Sequence, residues 1–312
     1  MPAKSETQYC RFTPTMMVNI AAPHTWPAAI MPTLVAVCAA AGTGHQVSVL
    51  MAIICLAITI LMQSSVNTFN DFYDYIKGTD SKEDDVDPTD AVLVYNNVNP
   101  RSALALAIVL LALAFLLGVA VIARVGFIPL IIALVGALFV VIYSAGKTPI
   151  SYLPLGELTS GVVMGGLIPL ATFQAVTGEF SWLALLWALP TIITVGLIMF
   201  TNNTCDIERD IPAGRRTLSV VLGRESARKL YHTLLVLAML CIVIIDAGFF
   251  TNGLLLMPFM ILAAFPSLKA LFSNPLDASL RHQTMPQVLT VNIVLGAFYC
   301  ASMLAAPMAL VL

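Results

Sequence analysis

A long apolar run of this chain ends in the sequence Asn67-Thr68-Phe69-Asn70-Asp71-Phe72-Tyr73-Asp74. A second apolar run ends in the sequence Asn202-Asn203-Thr204-Cys205-Asp206-Ile207-Glu208-Arg209-Asp210. We call these two stretches the first and the second acid cluster. Because charge next to hydrocarbon costs free energy, acidic residues at the end of an apolar helix usually have a function. Two similar clusters therefore predict one site that is built from two parts of the chain.

The composition of the chain indicates a membrane protein. Of the 312 residues, 59% are hydrophobic and only 10% are charged, which is more apolar surface than one soluble core of this size can bury. Runs of about twenty apolar residues are long enough to cross a hydrocarbon core about 30 Å thick. We therefore expect an all-α polytopic membrane protein with nine transmembrane helices. The predicted spans are 26–43, 47–68, 103–123, 126–145, 158–177, 181–201, 230–249, 253–271 and 288–311.

A weak internal repeat accompanies these spans. The order of a long span, an Asn-rich helix end, an acidic turn and a basic loop occurs after the second span and again after the sixth. This order predicts a single membrane-embedded domain over residues 1–312. Its pseudo-repeat halves are expected at roughly 20–145 and 150–272, and the ninth helix at 288–311 is left over.

The basic residues predict the orientation in the membrane. If the N-terminus is cytoplasmic, nearly all Lys and Arg residues fall in cytoplasmic connections, and only Arg124 falls on the other side. This asymmetry agrees with the positive-inside rule. We therefore expect a multi-pass protein of the cell (plasma) membrane whose acid clusters face the cytoplasm. The lipid bilayer is the expected partner, and the sequence indicates neither nucleic acid nor an obligate protein partner.

The spacing within each cluster predicts one polar helix face. Residues three and four apart are neighbours on a helix. The first face contains Asn67, Asn70, Asp71 and Asp74, and the second contains Asn202, Asp206 and Asp210 with Asn203 beside them. Asp and Asn also cap helices and form turns, and one isolated cluster would favour that interpretation. Two clusters on the same side of the membrane favour a functional site.

The residue types in the clusters predict a magnesium-dependent phosphate site. Two acids about 6 Å apart repel each other by roughly 3 kcal/mol at an effective dielectric constant of about 20, so they need a counter-charge. The cysteines and histidines lack metal-ligand spacing, and ligands that offer only oxygen favour Mg²⁺ before Ca²⁺. Magnesium held by one or two carboxylates usually binds a substrate phosphate. The basic residues expected to contact the remaining phosphate oxygens are Lys77, Lys147, Arg215 and Arg216.

Further motifs accompany the clusters. They are Pro23-His24-Thr25-Trp26-Pro27-Ala28, Lys77-Gly78-Thr79-Asp80, Tyr143-Ser144, Pro149-Ile150-Ser151-Tyr152, Leu155-Gly156-Glu157-Leu158, Gly214-Arg215-Arg216-Thr217-Leu218 and Leu222-Gly223. With these motifs, most of the chain resembles the UbiA superfamily of intramembrane prenyltransferases. Within that superfamily, the Gly-Glu-Leu and Gly-Arg-Arg-Thr-Leu segments resemble the MenA-type 1,4-dihydroxy-2-naphthoate polyprenyltransferases of menaquinone biosynthesis.

The resemblance implies a nine-helix UbiA-like bundle and a specific reaction. A polyprenyl group would pass from polyprenyl diphosphate to 1,4-dihydroxy-2-naphthoate, with loss of CO₂, to give demethylmenaquinol. The implied Mg²⁺ ligands are Asn70, Asp74, Asp80, Asp206 and Asp210. The implied catalytic residues are Asp71, Asp74, Asp206, Asp210, Tyr143 and Tyr152. The implied diphosphate-binding residues are Asn67, Asn70, Lys77, Lys147, Asn202, Asn203, Arg215 and Arg216. For each tyrosine, packing in an interfacial aromatic belt is the alternative.

The chain also departs from the family pattern. Ala22 stands where a basic residue is usual, His24 stands where Lys is frequent, and the loop from Asp87 to Asn97 lacks the basic and Gly residues expected there. The alternative acceptors are therefore other hydroxylated arenes, such as 1,4-dihydroxy-6-naphthoate, 4-hydroxybenzoate or homogentisate. A secondary transporter is the alternative from another class, but it would carry its polar residues near mid-bilayer in broken helices.

Overall fold

A computed structural model describes residues 9–78, 91–305 and 310–311. Most of these residues are in helices. Up to residue 144 the helices are α1 (Pro14–Ile20), α2 (Pro27–Gly42), α3 (Val49–Lys77), α4 (Val92–Asn96), α5 (Pro100–Val125) and α6 (Ile128–Ser144). The later helices are α7 (Gly156–Val162), α8 (Ile168–Thr177), α9 (Leu183–Trp187), α10 (Leu189–Cys205), α11 (Ile207–Asp210), α12 (Leu218–Leu222), α13 (Arg224–Phe249), α14 (Met257–Ser273) and α15 (Arg281–Met303). A π-helical turn, Val163–Leu167, connects α7 to α8.

Two short strands complete the described fold. Strand β1 (Val47–Ser48) pairs in parallel with β2 (Leu310–Val311) and so joins the start of α3 to the end of the chain. The side chain of Ser48 accepts a hydrogen bond from the backbone N–H of Met51 and caps the start of α3.

The described residues contain six helical segments that are long and apolar enough to cross a membrane. A seventh span results if the bent pair Pro14–Thr25 and Pro27–Gly42 is counted as one. Two of the nine predicted spans correspond to shorter apolar helices, Ile128–Ser144 and Leu189–Cys205. The chain is therefore a multi-pass helical membrane protein, and the count of nine spans stays a prediction.

Three predicted spans differ from the helices of the structure. The helix that contains the predicted span 47–68 is α3, which continues through the first acid cluster to Lys77, where Gly78 adopts a left-handed conformation and ends it. The predicted span 181–201 is divided into α9 and α10 at Ala188. The ninth helix does not cover 288–311, because α15 runs from Arg281 to Met303. Its first turns are polar, so a search for apolar runs places its start too late.

The surface of the bundle is suited to lipid. Leu116 of α5, Leu138 of α6 and Leu262 of α14 expose 66%, 57% and 73% of their surfaces. Because lipid chains are as apolar as leucine, such side chains are stable on the outside of a membrane bundle. Small residues are instead buried between helices, and Gly42 of α2 allows the backbone of Met303 at the end of α15 to approach closely.

Candidate active site

Asn67 connects the last turns of α3 to the turn before α2. Its Nδ2 donates hydrogen bonds to the carbonyl oxygen of Ala21 at 2.9 Å and to Thr25 Oγ1 at 2.8 Å. Gln63, one turn earlier, donates from Nε2 to Asn67 Oδ1 at 3.3 Å and to Thr25 Oγ1 at 3.2 Å. Because an amide offers both a donor and an acceptor, Asn67 serves here as a link between two segments of the chain.

The next two polar residues of the first cluster also contact neighbouring elements. Asn70 Oδ1 accepts a 2.8 Å hydrogen bond from Ser144 Oγ at the end of α6. Asp71 Oδ2 accepts a 2.9 Å hydrogen bond from the backbone N–H of Val92 at the start of α4. A carboxylate at a helix start is favourable because the N-terminal N–H groups carry partial positive charge. These two side chains therefore help to hold α6 and α4 against α3.

An arginine joins the two clusters. Arg215 Nη2 lies 2.8 Å from Asp74 Oδ1, and Arg215 Nη1 lies 3.7 Å from Asp210 Oδ1. Thr217 Oγ1 donates a 3.3 Å hydrogen bond to Asp210 Oδ2. Burial alone would lower the pKa of Arg215, but the carboxylates of Asp74 and Asp210 raise it above its usual value. Burial raises the pKa of Asp210 to about 6, although the guanidinium of Arg215 opposes the rise.

A second arginine contacts Asp206 of the second cluster. Arg281 Nη2 donates a 2.6 Å hydrogen bond to Asn202 Oδ1, and Arg281 Nε lies 3.3 Å from Asp206 Oδ1. Arg281 is the first residue of α15, and its side chain is only 16% exposed. The sequence predicts no part in the site for Arg281, because the predicted ninth helix begins seven residues later.

The acid clusters face one polar chamber with a volume of about 730 Å³. Its wall includes polar side chains from both clusters, namely Asn67, Asn70, Asp71, Asp74, Asn202 and Asp206. It also includes the cationic side chains of Arg209, Arg215 and Arg281. Helix α15 also contributes apolar side chains to the wall, such as Met285 and Leu289. A chamber with buried acids, half-buried arginines and apolar side chains is suited to an anionic ligand with an apolar part.

An apolar cavity adjoins the chamber. It lies between α3, α5, α6 and the segment from α7 to α8, and its volume is about 130 Å³. Gln63 and Met164 line both cavities, so these two side chains lie between the two spaces. The remaining wall is almost entirely apolar, as Ile58, Phe115 and Leu167 illustrate. The pair of cavities can therefore accept a molecule with a charged end and a hydrocarbon end.

Several residues of the predicted site lie outside the chamber wall. Lys77 Nζ donates a 2.7 Å hydrogen bond to the carbonyl oxygen of Ser144 and lies 5.1 Å from the centre of the Tyr152 ring. The Tyr152 ring also packs against the guanidinium of Arg215 at 5.2 Å, so its face contacts protein cations. The hydroxyl of Tyr143 donates a 3.2 Å hydrogen bond to Met199 Sδ.

Three further predicted residues have other surroundings. Lys147 and Arg216 are exposed, and the backbone N–H of Arg216 donates a 2.9 Å hydrogen bond to the carbonyl oxygen of Tyr152. Asn203 turns away from the chamber and donates a 2.7 Å hydrogen bond from Nδ2 to Glu157 Oε1. The Gly-Glu-Leu segment contributes to the family resemblance, but the sequence predicts no role in the site for Glu157. Asp80 lies outside the described residues.

The donor chemistry of the chamber fits magnesium. Within the described ranges, no three Asp, Glu, His or Cys side chains come together to form a metal site by themselves. Mg²⁺ does not need three, because it often uses one or two carboxylates and takes its other oxygens from phosphate and water. Asp74 and Asp206 line the chamber and offer hard oxygen ligands. The residues present therefore suit Mg²⁺ when it arrives with a phosphate ligand.

The model of the UbiA prenyltransferase family matches residues 29–293 of this chain. A 1,4-dihydroxy-2-naphthoate octaprenyltransferase from Bacillus subtilis is 33% identical over 66% of this chain, and the match covers 65% of that relative, slightly less than two thirds of its length. The protein of the same name from Mycobacterium tuberculosis is 32% identical over 90% of this chain and 95% of that relative. The chain belongs to the UbiA prenyltransferase family.

Solved structures show the same fold. A UbiA homologue from Archaeoglobus fulgidus superposes with a TM-score of 0.66 at 16% identity and covers 92% of this chain and 99% of that chain. The homologue bound to DMAPP and Mg²⁺ gives a TM-score of 0.62 at 17% identity, over 93% and 98% of the two chains. The predicted UbiA-like helical architecture is therefore confirmed.

Proposed function

We propose that this protein transfers a polyprenyl group from polyprenyl diphosphate to 1,4-dihydroxy-2-naphthoate, with loss of CO₂, to give demethylmenaquinol. The observation that carries this proposal is the junction at Gln63 and Met164 between a chamber lined by acids and arginines and an apolar cavity. A polyprenyl diphosphate has the same division into a charged end and a hydrocarbon end. Two relatives with at least 32% identity are 1,4-dihydroxy-2-naphthoate octaprenyltransferases, and this similarity supports the choice of acceptor.

The diphosphate would occupy the polar chamber between the two clusters. We assign Asn70, Asp74, Asp206 and Asp210 as the described residues that would hold Mg²⁺, together with Asp80 in the segment after α3. Bound Mg²⁺ would neutralise the diphosphate and make it a better leaving group. Arg215 and Arg281 compensate the acids without substrate, and their guanidinium groups would also contact phosphate oxygens. In this arrangement Asp71, Asn67, Asn202 and Asn203 support the binding residues.

The cations outside the chamber wall have supporting roles in this proposal. The Tyr152 ring is packed between Lys77 and Arg215, so we assign it to orienting Arg215, because aromatic faces attract cations. Tyr143 would fix the position of Met199 in the chamber wall through its hydrogen bond. Lys147 and Arg216 are exposed near the chamber end of the bundle and would attract the anionic donor toward it.

The isoprenoid chain would leave the chamber past Gln63 and enter the apolar cavity. The allylic carbon would then lie near Gln63 and Met164. Met285 and Leu289 of α15, which also line the chamber, would hold the arene beside this carbon. The ring carbon that bears the carboxylate forms the new C–C bond while the C–O bond to diphosphate breaks. Loss of CO₂ returns the bonding electron pair to the ring and restores its aromaticity.

We further propose that the chain forms one domain with two pseudo-repeat halves and a last helix, in the plasma membrane, with its chamber open to the cytoplasm. The arginines and lysines near the chamber end support this orientation by the positive-inside rule. Arg124, near the end of α5, lies at the other end of the bundle. Substrates made in the cytoplasm would then reach the site directly.

The function can be tested with purified protein in nanodiscs. A long-chain polyprenyl diphosphate, 1,4-dihydroxy-2-naphthoate and Mg²⁺ are supplied, and the products are analysed by mass spectrometry with an EDTA control. We expect a prenylated, decarboxylated naphthoquinol that disappears with EDTA. Product only with 4-hydroxybenzoate, homogentisate or 1,4-dihydroxy-6-naphthoate would change the acceptor. No product with any arene would overturn the proposed reaction.

A further inference from the structure

A buried carboxylate lies directly behind the second acid cluster. Glu157, in the first turn of α7, is 6% exposed, and Asn203, in the last turn of α10, is 9% exposed. Asn203 Nδ2 donates a 2.7 Å hydrogen bond to Glu157 Oε1. Neither side chain lines the chamber. A buried acid is costly unless its hydrogen bonds are satisfied, so this pair needs an explanation that packing alone does not give.

The close packing of α7 against α10 fixes the position of Glu157. A Cβ atom added to Gly161 would lie 2.5 Å from the carbonyl oxygen of Ile192, and one added to Gly196 would lie 3.3 Å from the carbonyl oxygen of Glu157. Glycines at such contacts let helix backbones approach closely within a membrane. The backbone of α7 is therefore held at a defined distance from α10, and the Glu157 side chain reaches the end of that helix.

The hydrogen bond from Asn203 to Glu157 fixes the rotation of the end of α10 about the helix axis. Successive helix residues are rotated by about 100°, so when Asn203 points to α7, its neighbour Asn202 points elsewhere. Asn202 and Asp206 face the chamber and contact Arg281. The two adjacent asparagines thus have different tasks, because one anchors the helix end and the other lines the chamber.

The segment that follows Asn203 carries Asp206, Asp210 and Arg215. The hydrogen bond from Asn203 to Glu157 therefore anchors the chain just before these residues.

We propose that Glu157 is a positioning residue that holds the second acid cluster in the geometry needed to bind the diphosphate. This inference rests on the proposed function of the chamber. Glu157 does not line the chamber and acts through Asn203. Residues that orient metal or phosphate ligands in this way typically change affinity by about 10–100-fold when they are replaced.

The test measures binding rather than turnover. Farnesyl thiodiphosphate, which is a poor prenyl donor, is titrated in the presence of Mg²⁺ into protein in nanodiscs, and its Kd is obtained by calorimetry. Thermal stability is measured in parallel. Asn203→Asp places two carboxylates against each other, and Glu157→Ala removes the acceptor. We expect each variant to raise Kd by about 10–100-fold. Glu157→Gln keeps the acceptor oxygen and should stay within about threefold of the natural protein.

A double replacement separates the hydrogen bond from general damage. In Glu157→Gln with Asn203→Asp, the new amide can donate to the new carboxylate, so the bond forms again with its direction reversed. We expect this double variant to recover most of the affinity that Asn203→Asp loses, as a coupled pair should. If Glu157→Ala does not fold, the other three variants carry the test. Glu179→Gln, at an exposed position at the other end of the bundle, is the matched control.

The outcomes distinguish this inference from the proposed function. Natural protein that does not bind the probe overturns the proposed function. If the natural protein binds the probe and the Asn203→Asp variant binds it equally well, only the proposed role of Glu157 is wrong. A double variant as weak as Asn203→Asp would likewise show that the bond to Glu157 is not what positions the cluster.

Discussion

The two acid clusters are similar in sequence, but the fold holds them in different ways. In the first cluster, Asn67, Asn70 and Asp71 form hydrogen bonds with backbone and hydroxyl groups of neighbouring elements. In the second cluster, the carboxylates of Asp210 and Asp206 face two arginines, Arg215 and Arg281, which come from later parts of the chain. Hydrogen bonds to backbone groups fix helices in place, whereas paired charges can exchange partners when an anion or a cation binds.

Asp74 differs from the rest of the first cluster. It lies in the last turns of α3, yet it shares Arg215 with Asp210 of the second cluster. Arg215 therefore lies between one carboxylate of each cluster and links the two clusters by its charge. Activity should therefore depend most on the charged side chains and least on the amides that connect helices.

Asp206→Asn should cause the largest loss. The replacement is nearly the same size, so the fold should remain, but it removes a negative charge from the chamber wall. We expect turnover to fall by about 10³-fold, because electrostatic groups at a reacting centre contribute that much. Product formation and thermal stability are measured together. The matched control is Glu225→Gln, which makes the same change at an exposed position. Normal turnover by the chamber variant would remove Asp206 from the proposed magnesium site.

Arg215→Lys should have the next largest effect. Lysine keeps the positive charge, but a single ammonium cannot reproduce the planar group that faces Asp74 at 2.8 Å and Asp210 at 3.7 Å. We expect kcat/KM for the polyprenyl diphosphate to fall by about 10²-fold, because a small displacement of binding groups costs that much. Arg215→Ala should also lower thermal stability, since it leaves two buried acids without their shared cation. Arg216→Lys, at the exposed neighbouring position, is the control, and equal effects at both positions would contradict the bridging role.

Much of this arrangement could be predicted from the sequence. Apolar runs predict the membrane helices, and the spacing of the clusters predicts that Asn67, Asn70, Asp71 and Asp74 share a helix face, which is where the chamber wall has them. These are local properties, since helical periodicity relates residues only a few positions apart. The partners in the ion pairs could not be predicted, because residues that pair across distant segments leave no local pattern in the sequence.

Arg281 shows why the rest was missed. It lies 79 positions after Asn202 in the chain and contacts it directly. Its helix begins with the polar sequence Arg281-His282-Gln283-Thr284, in which Thr284 is 0% exposed. A search for apolar segments treats such a stretch as a loop. The same argument applies to Glu157, because a single acid in an apolar segment does not reveal which helix end it contacts.

Arg281→Ala should have a smaller effect than the replacements of Asp206 and Arg215. Arg281 contacts one acid of the second cluster and one amide, whereas Arg215 connects both clusters. We expect kcat/KM for the donor to fall by about 10-fold, in the range for residues that support a binding group. Arg124→Ala, near the opposite end of α5, is the control and should leave catalysis unchanged. A complete loss of turnover by the Arg124 variant, with normal folding, would contradict the proposed orientation.

Asn67→Asp should have the smallest effect on turnover and a clear effect on stability. The new carboxylate cannot donate to the carbonyl oxygen of Ala21, so two acceptors face each other within the link between α3 and the turn before α2. Such a loss costs about 1–3 kcal/mol, and the melting temperature should fall. Turnover of the folded protein should fall by less than about tenfold. Asn252→Asp, at an exposed position, should change neither quantity. If Asn67→Asp instead lowers turnover as strongly as Asp206→Asn and leaves the melting temperature unchanged, the amide belongs to the chemistry, and the contrast between the two clusters is wrong.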